Sequence, residues 1–104
     1  MVQYEVPVYK CWILFTRSRA EFSQQAEAWG AYEDTTGADG MVLESDQGNF
    51  LVGVFTKAPG TLAHEMAHAS LSIIKNAGFD AEAGNQEPFC YLLGHLVDHF
   101  AKVK

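Results

Sequence analysis

This chain has little of what a nucleic-acid-binding, membrane-spanning or disulfide-stapled protein requires. Lys and Arg together number 7 in 104 residues, against 13 Asp and Glu, for a formal net charge of −6. The basic residues (Lys10, Arg17, Arg19, Lys57, Lys75, Lys102 and Lys104) are scattered along the chain. No cationic stripe exists to neutralise phosphates, so no nucleic-acid partner is expected. No apolar run approaches the ~20 residues of a membrane span, and no charged segment followed by an apolar core marks a leader. Two cysteines, Cys11 and Cys90, each fall inside an expected regular element. They could form a single disulfide but read better as two buried free thiols, which with the missing leader point to a cytoplasmic setting.

What remains is an ordinary globular composition, 48% hydrophobic. Such a chain can build one core, and at this length residues 1–104 make a single domain. Residues 4–16 are rich in Tyr, Val, Trp, Ile and Phe and predict a strand, with Pro7 confining its first part to an edge or a bulge. Residues 18–29 predict a helix with Ser18 as N-cap, Phe22, Ala26 and Trp29 at helical spacing, and Gly30 at its end. Residues 31–40 read as a loop.

Two apolar runs, 41–44 and 50–56, flank the turn-rich Ser45-Asp46-Gln47-Gly48-Asn49 and predict a hairpin. A break at residues 58–61 opens a helix over about 62–77, closed by Gly78. An acidic loop, 80–84, leads to Asn85 as N-cap of a last helix running from Gln86 to about Val103, with Pro88 in its first turn. The order strand, helix, hairpin, helix, helix predicts an α+β domain with three helices on one face of a small, mostly antiparallel sheet.

The second of these helices carries His64-Glu65-Met66-Ala67-His68, an HExxH motif. A spacing of four puts both imidazoles on one face, one turn apart, where each can reach a zinc ion at about 2.0–2.1 Å. Glu65 is turned roughly 100° from His64, beside the metal, where a base belongs. The motif arises by chance in on the order of one in a few hundred chains of this size, so context decides. On a helical wheel Leu62, Met66, Ala69, Ile73 and Ala77 form the apolar face, widened by Ala63, Ala67, Leu71 and Ile74. His64, His68 and Lys75 fall on the polar side, with Glu65 and Ser72 at its margin.

In these residues the chain resembles the zincins, metallopeptidases built around an HExxH helix. The stretch from Thr61 to Leu96, about a third of the chain, is similar to small HExxH proteins of phages and prophages, in which a Gln-Glu-Pro-Phe run recurs, here Gln86-Glu87-Pro88-Phe89. It is similar more distantly to the ImmA/IrrE-type peptidases that cleave repressors. The resemblance implies a minimal zincin-like domain acting in the host cytoplasm. One Zn2+ per chain would be held by His64, His68 and Glu87, with Glu65 as general base and a protein or peptide as substrate. It further implies an extended substrate pairing with a strand at the cleft, here the strand 50–56 that feeds the helix.

Several of these residues have plainer readings. An acidic residue in a first turn is favoured by the helix dipole alone. Tyr91, one turn past Glu87, is a candidate to hydrogen-bond a developing oxyanion, or simply an amphipathic surface tyrosine. His95 is the rival third ligand, with His99 one turn beyond it. A regulatory protein-binding factor with a structural or vestigial zinc site is the alternative function. Glu65 speaks against it, since a purely structural site needs ligands but no base.

Overall fold

A computed structural model describes residues 1–80, 84 and 86–104. Its elements are β1 (Val2–Glu5), β2 (Trp12–Thr16), α1 (Arg19–Ala28), β3 (Gly40–Glu44), β4 (Phe50–Val54), α2 (Pro59–Asn76) and α3 (Gln86–Phe100). The chain is an α+β domain whose four strands form one mixed sheet in the order β1-β2-β4-β3.

The expected strand over 4–16 is two strands. Pro7 has no N–H to donate, and around it Val8 (φ 71°) and Lys10 (φ 58°) take left-handed backbone conformations. Val6 N–H donates to the Cys11 carbonyl at 2.8 Å and Lys10 N–H to the Val6 carbonyl at 2.9 Å, closing a tight reversal. β1 and β2 then pair antiparallel, with Tyr4 opposite Ile13.

β2 pairs parallel with β4, Phe15 opposite Val52, while β3 returns antiparallel to β4. The expected hairpin is therefore present, but its second strand lies inside the sheet. All five residues of Phe50-Leu51-Val52-Gly53-Val54 are buried, as a strand covered on both faces requires. Two expectations fall with this. β4 has neighbours on both sides, so it has no edge to offer a substrate. The helices do not share one face either. Phe22 and Ala26 of α1 pack on Leu51 with Leu14, Met41 and Leu43. On the opposite face α2 and α3 bring Leu62, Met66, Ala69, Ile73, Leu92, Leu96 and Phe100 onto Ile13, Phe15, Phe50 and Val52.

The helix ends follow their local chemistry. The Ser18 side chain accepts from Glu21 N–H, as expected of an N-cap. α2 starts earlier than expected because Pro59, with its fixed φ, serves as its first-turn residue. It stops where Gly78 (φ 91°) turns left-handed, and Phe79 N–H reaches back to the Ile74 carbonyl at 3.0 Å. α3 ends at Phe100, short of the expected Val103, and the tail is tied down instead. Arg17 donates from Nε and Nη2 to the Val103 carbonyl at 3.1 and 3.0 Å, and from Nη1 to the Thr56 carbonyl at 3.0 Å. The expected loop residue Glu82 and cap Asn85 lie outside the described residues.

Cys11 and Cys90 are free, but neither is buried as expected, Cys11 being half-buried and Cys90 exposed. Among the described residues no helix is long and apolar enough to cross a membrane.

One buried atom is out of place. Ser70, fully buried in α2, has a hydroxyl with no hydrogen-bond partner. An unsatisfied buried hydroxyl costs about 1–3 kcal/mol. Ser70→Ala is therefore expected to stabilise the fold by about 1 kcal/mol, read as a higher denaturant midpoint at unchanged slope. A lower midpoint would mean that the hydroxyl has a partner after all.

Candidate metal centre

The first half of α2 presents its histidines outward, both exposed, above the rim strand β3. Their Nε2 atoms are 3.2 Å apart, with the rings at 79° to each other. Two imidazole nitrogens held at about 2.0–2.1 Å by one tetrahedral ion stand about 3.3 Å apart. The pair thus converges at the separation that a zinc ion requires, and the donor set fits two of its positions.

Glu65 departs from its expected place at the margin of the polar side. The residue is only 7% exposed, with Oε2 3.9 Å from His64 Nε2 and no hydrogen-bond donor to its carboxylate among the described residues. Its room comes from a glycine. A Cβ on Gly40 would lie 2.6 Å from Glu65 Cγ and 2.9 Å from the Gly53 carbonyl oxygen. The bare β3 backbone at Gly40 lets the carboxylate tuck between helix and sheet. Burial pushes the Glu65 carboxyl above the usual carboxylate range, and the two histidines oppose that shift only in part. Gly40→Ala is expected to displace Glu65 and to destabilise the fold by about 1–3 kcal/mol, checked by thermal melting. A melt unchanged within about 1 °C would mean that the contact is loose.

A cleft of about 480 Å3 runs between α2 and β3, lined by Gly40, Val42, Glu44, His64, Glu65 and His68 among others. A second hollow of about 420 Å3, lined by Asp39, Gly60 and Thr61, shares Gly40, His64 and Glu65 with it. The two form one groove that passes over the buried carboxylate. Its β3 wall escapes sequence reading, because nothing local shows which strand borders the helix. The only hint is Gly40 at the head of an apolar run, where a strand glycine marks close approach by another group.

The remaining predicted residues lie elsewhere. Glu87 sits exposed in the first turn of α3. Among the described residues no group of three His, Cys, Asp or Glu gathers to hold a metal, so Glu87 is not joined to the histidine pair. Tyr91, 75% exposed, lines a different groove with Pro7, Tyr9, Pro88, Leu92 and His95. His95 is engaged too, its Nε2 2.5 Å from the Tyr4 hydroxyl. The Tyr4 ring stacks on His99 at 3.8 Å. Burial, aided by His95 and Lys102, holds His99 below the usual imidazole range. This second histidine pair fastens α3 to β1 and shares no lining residue with the cleft.

No family model, curated protein or solved structure matches this chain.

Proposed function

We propose that the chain is a small zinc-dependent peptidase that cuts peptide bonds in the cleft between α2 and β3. The observation that carries this reading is Glu65, a largely buried side chain at the floor of the cleft with its carboxylate 3.9 Å from His64, set beside two imidazoles that converge as zinc ligands do. Burial raises the pKa of the Glu65 carboxyl, and carboxyls perturbed by burial in clefts are candidates for functional sites. A structural clip would need the histidines and not the carboxylate.

His64 and His68 would hold the metal. The resemblance of residues 61–96 to phage-encoded HExxH proteins implies Glu87 as a third donor, but the structure does not bring it to this pair, so the two histidines alone are proposed as protein ligands. Zinc, when bound, supplies a Lewis acid that polarises a carbonyl and makes water nucleophilic near neutral pH. Glu65 takes a proton from the attacking water and delivers it to the leaving amine. A raised carboxyl pKa suits a group that must both accept and release that proton. The substrate backbone would add to the outer edge of β3, which pairs with no strand among the described residues. Tyr91 has no role in this scheme, because it faces the other groove.

The test is a peptide mixture incubated with the zinc-loaded chain and searched by mass spectrometry for new termini. Cleavage is expected, with loss on adding a chelator and recovery with zinc. Unchanged peptides under all three conditions would refute the peptidase reading.

A further inference from the structure

Resting on that reading, we propose that the substrate is an extended, positively charged segment, its Lys or Arg side chains set against Glu44 at one end of the cleft and Asp39 at the other. Side chains alternate along β3. Met41 and Leu43 join the α1 side of the core, while Val42 joins the α2 side, so Gly40, Val42 and Glu44 form the row facing α2. That row changes from bare backbone to apolar to acidic. Asp39, exposed, stands just before it and lines the adjoining hollow with Thr61.

Neither hollow is lined by Lys or Arg. Asn76 Nδ2 donates to Glu44 Oε2 at 2.9 Å, which orients that carboxylate and leaves its second oxygen for a cation. Between the two ends lies Glu65, its side chain nine-tenths buried and its carboxylate 3.9 Å from His64, lining both hollows. A dication at the histidine pair would turn the centre of the cleft positive, yet both ends stay negative. Charge preference is therefore set at the ends.

Register follows from strand geometry. Gly40, against which Glu65 lies, is four residues from Glu44, about 13 Å along an extended chain. A segment added antiparallel to β3 passes Glu44 first and Gly40 later. Its basic side chain at Glu44 then falls about four residues before the bond presented to Glu65.

The test uses the full chain carrying Glu65→Gln with zinc present, so that bound peptide is not consumed. Fluorescence anisotropy would compare a dye-labelled octapeptide of alternating Ala and Lys with its Ala and Glu counterpart. The lysine peptide is expected to bind about tenfold more tightly. Adding Asp39→Asn with Glu44→Gln should remove most of that preference. A control with the same change in net charge, Glu27→Gln with Asp98→Asn on exposed helix surfaces, should keep it. Equal binding of the two peptides, or an equal loss in the control, overturns the proposal. A chain that keeps the preference but holds no zinc fails the peptidase reading alone.

Discussion

Glu65→Gln is expected to slow peptide cleavage by about 10²–10⁴-fold while leaving the zinc content unchanged. Glutamine keeps the shape of the side chain but can take no proton from water. In the metal-free protein the same change should stabilise the fold at neutral pH. Burial raises the folded pKa of Glu65 above its unfolded value of about 4.3, so the folded state binds the proton more tightly. Its favourable contribution is complete below that unfolded value and is lost as pH rises through the folded one. Glutamine carries no such loss. The gain in Tm, present at pH ~7.5, should shrink to nothing near pH ~4. Melts in chelator at the two pH values measure it. A variant equally stable with wild type at both would show that the carboxylate is not held out of water.

Phe100→Ala has the largest expected effect on the fold. Phe100 is fully buried at the end of α3, stacked on Phe15 with ring centroids 4.7 Å apart and meeting the Tyr4 ring edge-on at 5.7 Å. It is the aromatic that seats α3 against β1 and β2. Removing it should cost about 3–5 kcal/mol, a large part of the ~5–15 kcal/mol that holds a domain together. Tm should fall by at least ~12 °C. The exposed Tyr91, on the same helix, is the contrast: Tyr91→Ala should stay within about 0.5 kcal/mol of wild type. Chemical denaturation of both variants checks the pair, and comparable losses would mean that α3 is not docked through Phe100.

Much of the local structure was legible because its signals are local. Ser18, Gly30 and Gly78 mark helix ends by their own capping chemistry, and the turn at 45–49 marks the hairpin. The HExxH spacing brought His64 and His68 together because four residues make about one helical turn. Longer-range features were not legible. The parallel pairing of β2 with β4 depends on a crossover through α1. The only local trace of it is that residues 50–54 are continuously apolar rather than alternating, as in a strand buried on both faces.

The same gap hid the wall of the site. Which strand borders α2 is a matter of strand order, so Gly40, Asp39 and Glu44 went unmarked while the buried β4 drew the substrate. A helical wheel also placed Glu65 at a polar margin and Leu71 on the apolar face. Packing reversed both, with Leu71 47% exposed and Glu65 buried. A wheel gives angle around one helix, not what stands opposite it.

Zinc content of the purified chain, measured by elemental mass spectrometry on wild type and on His68→Ala and Glu87→Ala variants, tests the metal centre most directly. The predicted result is about one zinc per chain in wild type, lost in His68→Ala and unchanged in Glu87→Ala, whose side chain stands apart from the histidine pair. A wild-type chain that holds no zinc even when the metal is supplied would contradict it, leaving the converging histidines as a surface feature of a small acidic domain.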